Sequence, residues 1–233
     1  MVATQNDSKK MELLARLTEP ATTAILTMEL QNGIVGSGAL LPALVNAVAE
    51  CGLLAVAGSV CSAARGAGVR VVHCTMEERS DWAGFVENCK LSVLSAKQRR
   101  ANGCSPIEVG SFGAQSVPEL NVQPSDIVVA RMTGMTPFTS TSLDQILRNM
   151  GIKTVVVMGV SVNIGVMGTV LSAVDLGYQV VIVRDAVAGV PAAYAQAAID
   201  NSLSMISTVA TAKEILACWE TPAARDGRQL ASH

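Results

Sequence analysis

The stretch TVVVMGVSVNIGVMGTVLSAVDLGYQVVIV, residues 154–183, decides the predicted fold. It opens with Thr154 to Met158, an apolar run that is typical of a buried strand. Ile164 to Leu176 then has the composition of a helix, and Gln179 to Val183 is a second buried strand. Because a strand, a helix and a strand in this order form a right-handed crossover, the two strands are expected to be parallel.

The same alternation extends along most of the chain. Further strands are predicted at Thr22 to Met28, Val69 to Cys74, Asp126 to Ala130 and Ile206 to Ala210. Further helices are predicted at Leu40 to Gly66, Ser142 to Met150, Pro191 to Met205, and after Thr211 to about Trp219. The pattern predicts an α/β fold with a parallel sheet covered on both faces.

The chain is expected to form one domain, residues 21–220. Residues 1–20 are predicted to be an N-terminal arm or short helix, and residues 221–233 a loose C-terminal tail. Residues 75–125 are rich in Gly, Ser, Pro and Asn, and they are predicted to be irregular. Loops of that length in a compact domain are usually functional, often as lids.

The composition and charge of the chain argue against a nucleic-acid partner. Of the 233 residues, 50% are hydrophobic and 15% charged, and the net charge of −2 argues against nucleic acid. The basic residues Lys90, Lys97, Arg99 and Arg100 lack interleaved aromatic residues, so a solvated surface segment is expected there.

The six cysteines form no C-x-x-C pair and fit no zinc pattern, and the chain opens without an apolar signal core. We therefore expect reduced thiols in a cytoplasmic protein, with no metal and no cofactor. Two apolar stretches, Leu40 to Ala64 and Val155 to Val174, contain polar residues or several glycines. They are expected to be buried segments of the fold, without a membrane partner.

Ligands of such folds bind at the carboxyl ends of strands, which selects four places. These are Glu29 to Asn32, His73 to Glu78, Arg131 to Thr141 and Gly159 to Gly165. Glu29 is either a buried acid or the cap of a turn. Arg131 either anchors a substrate carboxylate or holds Glu29 in a structural ion pair.

The turn Gly159 to Gly165 opens a helix, so its N–H groups predict an anion or oxyanion site. Tight backbone packing is the alternative explanation for its glycines. Gln31 and Asn32 are expected in turns or caps, and His73 as a satisfied core residue. Trp82 and Phe138 either line a pocket or belong to the core.

From about residue 20 to residue 220, these features together resemble the isochorismatase-like hydrolases, a family of cysteine hydrolases that includes nicotinamidases. Residues 28–36, MELQNGIVG, look like the family's strand ending in Asp-Met-Gln-Asn. Residues 131–189 are similar in the order Phe, Thr, Leu, Gly-Ile, strand, Gly-Val, helix, Ala-x-x-x-Gly-Tyr, strand, Asp-Ala. The resemblance implies a three-layer α/β/α sandwich around a six-stranded parallel sheet, in dimers or tetramers.

The family's usual triad is Asp, Lys and Cys, and this chain differs at all three positions. By position Glu29 replaces the Asp, and Gly165 replaces the nucleophilic Cys. Arg131 stands near the Lys, but one extra residue before Phe138 leaves Met132 as the other candidate. None of the six cysteines replaces the nucleophile by position, so a covalent thiol route is not expected.

Isochorismatases and their phenazine-pathway relative resemble this chain in carrying a glycine at the nucleophile position. They cleave a vinyl ether by protonating it to an oxocarbenium ion that water captures. The resemblance therefore implies a hydrolase of a small carboxylated molecule, with Glu29 as the acid and Arg131 as the carboxylate-binding group. It also implies a cis peptide at Val160–Ser161. The predicted substrate contacts are Asn32, Trp82, Phe138, Ser161, Asn163 and Ile164.

Two alternatives stay open. A catalytically degenerate protein would bind a small ligand or a partner without turnover, since arginine does not release a proton as lysine does. An amidase would recruit another nucleophile, such as Ser161 or an activated water.

Overall fold

Six parallel strands form one sheet in the order β3-β2-β1-β4-β5-β6. The structure, a computed structural model, describes residues 2–220, with side chains from residue 7 onward. The predicted tail 221–233 lies outside the described residues. The strands are β1 (Thr23–Met28), β2 (Arg70–Met76), β3 (Ile127–Arg131), β4 (Thr154–Val160), β5 (Gln179–Ala188) and β6 (Thr208–Ala210). The predicted six-stranded parallel sheet is confirmed.

The helices form a layer on each face of this sheet. They are α1 (Val2–Leu17), α2 (Asn32–Val35), α3 (Pro42–Glu50), α4 (Leu53–Ala67), α5 (Lys90–Asn102), α6 (Pro137–Ser140), α7 (Leu143–Asn149), α8 (Met167–Asp175), α9 (Ala192–Asn201) and α10 (Ala212–Glu220). One apolar core joins α1, α3, α4 and α10 to the sheet. A second core joins α6, α7, α8 and α9 to the opposite face. The predicted three-layer α/β/α sandwich is therefore confirmed.

The strand register brings distant parts of the sequence to one edge of the sheet. Met28 pairs with Cys74 of β2 on one side and with Gly159 of β4 on the other. Met76 in turn pairs with Arg131 at the end of β3. The carboxyl ends of four neighbouring strands thus lie side by side, as the parallel topology requires.

The helix predicted at Leu40 to Gly66 is two helices, α3 and α4. Gly52, between them, has a φ of 64°, a left-handed conformation that glycine adopts without the steric cost of a side chain. Among the described residues, no single helix is long and apolar enough to cross a membrane. The pair α3 and α4 meets that test of length and composition only together, with a bend of 63°.

Two other expectations are corrected. The predicted arm or short helix at residues 1–20 contains the 16-residue α1, which packs against α10. The indole of Trp219 there donates a hydrogen bond to the carbonyl of Thr18, at 3.0 Å. The irregular segment 75–125 contains α5, whose first turn is capped by Cys89 and Ser92. Capping by cysteine is not among the usual signals for a helix start, which explains why the sequence did not indicate α5.

His73 is fully buried within β2, as expected of a core histidine. Its Nδ1 lies 2.8 Å from the hydroxyl of Thr27, and its Nε2 lies 3.2 Å from the carboxylate of Asp126. The guanidinium of Arg65 holds the same carboxylate through two hydrogen bonds, of 2.9 and 2.7 Å. Burial lowers the pKa of His73, and this effect outweighs the attraction of Asp126 for the imidazolium.

Because the pKa of His73 is lower in the folded protein than in the unfolded chain, protonation favours unfolding. The contribution of His73 to stability is present above its unfolded pKa of about 6.5 and is lost as the pH falls through the folded pKa. We expect the free energy of unfolding to drop more steeply between pH 7 and pH 5 in the wild type than in His73→Gln. Urea unfolding at several pH values measures both slopes, and equal slopes would contradict the assignment.

Candidate active site

A cavity of about 200 Å³ opens at the carboxyl ends of the strands. Its walls are largely apolar, with Ile34, Leu44, Phe85 and Ile164 among the lining side chains. The polar side chains in the lining are Glu29, Glu78, Ser92, Ser95, Arg131 and Ser161. An apolar pocket with a few convergent polar groups is the usual form of a small-molecule site.

Glu29 follows β1 directly and has a φ of 53°, which is uncommon for a residue other than glycine. Its N–H donates to the carbonyl of Cys74 at 2.9 Å, which holds the turn against the end of β2. The buried amide of Gln31 ties the same two strand ends together, because its oxygen accepts from the N–H of Met76 and its nitrogen donates to the Met76 carbonyl. Neighbouring groups therefore fix the main chain at Glu29 beside the end of β2.

Arg131, the last residue of β3, contacts the Glu29 carboxylate through Nη2. Its Nε donates to the carbonyl of Gly134 at 3.2 Å and its Nη1 to the carbonyl of Thr75 at 3.4 Å. Burial lowers the pKa of Arg131 to about 10, so the guanidinium stays protonated at neutral pH. Met132, the other candidate for this place, is exposed and does not line the cavity. Arg131 thus forms an ion pair with Glu29 and also lines the cavity.

The turn after β4 forms another part of the cavity wall. The expected cis peptide at Val160–Ser161 is present. A π-helical turn, Val162–Val166, follows it, so the regular helix begins at Met167 rather than at Ile164. Ser161, Ile164 and Gly165 line the cavity.

Two glycines of this turn have close neighbours. Gly159 has a φ of 113°, and a Cβ there would lie 2.2 Å from the carbonyl oxygen of Met28. A Cβ at Gly165 would lie 3.0 Å from the carbonyl oxygen of Val160 and 3.2 Å from Cε of Met28. Close packing is therefore a sufficient reason for the glycine at 159, whereas a side chain at 165 requires only small shifts.

Three of the predicted substrate contacts, Asn32, Phe138 and Asn163, lie outside the cavity lining. The side chain of Asn32 donates to the carbonyls of Phe112 and Gln115, and it faces a separate surface depression. Phe138 is buried in the core against Tyr178. Asn163 exchanges hydrogen bonds of 2.6 and 2.9 Å with the backbone of Val190. In each case backbone groups or apolar neighbours already satisfy the side chain.

Trp82 also lies outside the cavity lining, but it packs against a residue within it. Its ring makes an edge-on contact with Phe85, with 5.5 Å between the ring centroids. The guanidinium of Arg99 stacks over the indole at 4.2 Å, a distance suited to a cation–π contact. Trp82 therefore packs against Phe85 on the side away from the cavity and helps to hold that part of the wall in place.

Sequence reasoning did not single out Glu78, which lines the cavity, or Arg99, which lies behind it. Glu78 lines the cavity from the loop after β2 and is almost fully buried. Arg99 of α5 lies 3.6 Å from the Glu78 carboxylate and is only 2% exposed. The expectation of a solvated basic segment is therefore wrong for Arg99. The rule that ligands bind at the carboxyl ends of strands selects His73 to Glu78, and this is the signal in the sequence that points to Glu78.

None of the six cysteines, all of which lie within the described residues, lines this cavity. Burial raises the pKa of Cys61 and of Cys74 to about 12, which leaves both as unreactive thiols. A hydrogen bond with Ser92 lowers the pKa of Cys89, which caps α5 outside the lining. The cavity therefore offers carboxylates, a guanidinium and hydroxyls, but no thiol.

Comparison with known proteins agrees with this architecture. Residues 23–214 match the model of the isochorismatase domain. The chain belongs to the isochorismatase-like hydrolase family. It is 28% identical to the ureidoacrylate amidohydrolase RutB of Rhizobium rhizogenes over 227 residues, 92% of each chain. It is 28% identical to RutB of Pseudomonas syringae pv. syringae over 179 residues, 72% of this chain and 71% of the relative.

Solved structures of the family share the fold. An isochorismatase family protein from Burkholderia thailandensis has a TM-score of 0.68 and 27% identity, covering 86% of this chain and 97% of that one. N-carbamoylsarcosine amidase from Thermoplasma acidophilum, at 24% identity and a TM-score of 0.61, covers 82% of this chain and 96% of its own. The second comparison supports the fold alone.

The contact between Arg131 and Glu29 predicts a measurable energetic coupling. Arg131→Met removes the donor from Glu29 and from two carbonyls, so we expect a loss of about 2–4 kcal/mol in the free energy of unfolding. Glu29→Gln should cost less in that background than in the wild type, by about 1 kcal/mol or more. Urea unfolding of the four proteins measures this coupling.

A matched control is the surface pair of Arg184 and Asp200, whose side chains are 38% and 45% exposed. The corresponding cycle with Arg184→Met and Asp200→Asn should give a coupling below about 1 kcal/mol. Equal couplings for the two pairs would show that the cavity pair has no special role in stability.

Proposed function

We propose that this protein hydrolyses a small carboxylated molecule without a cysteine nucleophile, by acid catalysis from Glu29. The observation that carries the proposal is that Glu29, Arg131 and the turn at Gly165 line one cavity. In this assignment Arg131 binds the substrate carboxylate, and Gly165 occupies the place of the family's nucleophile. The turn around Ser161 and Gly165 would present backbone N–H groups to a substrate oxygen.

Because Arg131 forms an ion pair with Glu29, a substrate carboxylate that binds Arg131 would also affect the protonation of Glu29. A neighbouring guanidinium favours the ionised form of a carboxyl group, whereas an acid catalyst must carry a proton. A substrate carboxylate that binds the fork of Arg131 would separate Arg131 from Glu29 and bring a like charge near it. Both changes favour protonated Glu29. Binding of the correct substrate would thus prepare the acid.

Protonated Glu29 would then transfer its proton to the carbon of a vinyl ether, which yields an oxocarbenium ion and a Glu29 carboxylate. Water adds to the cation and returns a proton to Glu29. The resulting hemiketal collapses to a carbonyl compound and an alcohol, and this step breaks the C–O bond. This route needs an acid and an anchor for the substrate, but no thiol.

Cleavage of a C–N bond is the related possibility within this proposal. Relatives of the chain are named ureidoacrylate amidohydrolases, which describes a carboxylated substrate cleaved at an amide-type bond. Arg131 would serve the carboxylate of such a substrate equally well. Vinyl ethers and ureido or amido acids should therefore be assayed together.

A second candidate function is binding without turnover. The observation that favours it is that Glu29 and Arg131 already contact each other, so each group has a partner before any ligand arrives. A protein of this kind would bind a carboxylated metabolite and release it unchanged.

The substitution Glu29→Gln separates these functions. We expect it to lower kcat on the hydrolysed substrate by about 100-fold or more, because a carboxamide cannot act as the acid. Wild-type protein treated with iodoacetamide should keep its activity, since no cysteine lines the cavity. The assay is hydrolysis across a panel of small carboxylated vinyl ethers, amides and ureides.

Glu119→Gln is the matched control, because Glu119 is an exposed carboxylate away from the cavity. Full activity in Glu29→Gln would overturn the acid-catalysis proposal. Loss of activity in Ser161→Ala together with a trapped adduct on Ser161 would favour the hydroxyl as nucleophile. Saturable binding of panel members with no product would favour the binding protein.

A further inference from the structure

Glu78 is a second carboxylate in the cavity, and its surroundings differ from those of Glu29. Its backbone is fixed on both sides: the N–H of Glu78 donates to the carbonyl of Ile107, and its carbonyl accepts from the N–H of Val109, both at 3.0 Å. Its side chain is 4% exposed. The carboxylate is thus held at the cavity wall with little freedom to turn toward solvent.

The two oxygens of this carboxylate are not equivalent. Oε1 accepts a hydrogen bond from the hydroxyl of Ser95, at 3.1 Å. Oε2 is buried and has no hydrogen-bond partner among the described residues. The cation Nη1 of Arg99 lies 3.6 Å from Oε2, which is too long for a hydrogen bond. Oε2 therefore keeps an unused acceptor position, and an unpaired buried acceptor is costly.

Arg99 is held where it cannot easily close this gap. Its Nη2 donates to the carbonyl of Arg79, and its guanidinium stacks on Trp82. A shift toward Glu78 would weaken both contacts. Arg99 therefore leaves Oε2 of Glu78 without a hydrogen bond.

The cavity therefore has two groups of polar side chains in a largely apolar lining. Glu29 and Arg131 form one group, and Glu78 with Ser92 and Ser95 forms the other. A ligand that pairs its carboxylate with Arg131 would place the rest of its chain along the apolar walls. An N–H group elsewhere on such a ligand would supply the donor that Oε2 lacks.

We propose that Glu78 is a specificity-determining residue that selects ligands carrying an N–H donor in addition to a carboxylate. The inference deepens the function proposed above and rests on it for the role of Arg131. The ligand class is an acid with a terminal amide, ureide or ammonium group. A buried carboxylate acceptor strongly favours a donor over an isosteric group without one, since the missing hydrogen bond leaves the acceptor desolvated and unpaired.

Matched pairs of probes isolate the contribution of the N–H group to binding affinity. Succinamate and 4-oxopentanoate differ only in a terminal NH₂ against a CH₃ on the same carbonyl carbon. Glutaramate and 5-oxohexanoate repeat the pair with one more methylene, and 4-aminobutyrate offers an ammonium group without the carbonyl. Calorimetry or ligand-detected NMR gives the Kd of each probe.

For the wild type we expect at least one amide to bind about tenfold or more tighter than its ketone partner. In Glu78→Gln this preference should fall below about threefold, because the acceptor charge is lost. Arg131→Gln should weaken the amide and the ketone by a similar factor and leave their ratio unchanged. Tighter binding of 4-aminobutyrate than of both amides would identify the donor as an ammonium group.

The double variant Glu78→Gln with Arg99→Met covers the case in which Glu78→Gln fails to fold, because it removes both buried charges together. A wild type without an amide preference at either length, or a preference that persists in the Glu78 variants, overturns the inference. Because the experiment measures binding, it tests the role of Glu78 even if the protein has no catalytic activity. Activity that depends on Glu29 alongside equal binding of amides and ketones would remove this inference and leave the proposed function intact.

Discussion

The parallel order of the central strands is the constraint on which the site depends. With β2, β1 and β4 side by side and all running in one direction, their carboxyl ends meet at a single edge. Glu29, Glu78, Arg131 and Gly165 are far apart in sequence, yet each lies at or just beyond that edge. An antiparallel neighbour at any of these positions would have sent one of them to the opposite end of the sheet.

The two carboxylates of the cavity show how differently an ion pair can be arranged. Arg131 contacts Glu29 and also hydrogen-bonds two carbonyls, so its guanidinium is well satisfied. Arg99 lies beside Glu78 without hydrogen-bonding to it, and Nη1 of Arg99 also lacks a partner among the described residues. Arg131 and Glu29 thus contact each other directly, whereas Arg99 and Glu78 do not share a hydrogen bond. A ligand would have to separate the first pair, but it could hydrogen-bond to the unpaired oxygen of Glu78 without breaking an existing hydrogen bond.

The strands, and the positions of Glu29 and Arg131 at the ends of two of them, could be predicted from the sequence because apolar runs report burial directly. A polar residue immediately after such a run, as at Glu29, lies where the chain leaves the sheet. The break at Gly52 was hidden because Ala and Leu continue on both sides of it. Helix α5 was missed because its face is mostly polar and its cap is Cys89. Without α5, nothing in the sequence brings Arg99 near Glu78, so the basic residues predict a solvated segment where one arginine is buried.

Helix α5 also belongs to neither of the two apolar cores, within the part of the chain that the structure describes. It contributes Leu91, Ser92 and Ser95 to the cavity while the sheet carries the packing that holds the fold together. The turn from Gly159 to Gly165 is tied to that packing, because both glycines lie close against Met28. Changes in one surface helix could therefore alter which ligands the cavity accepts, while the strand ends and their packing stay as they are.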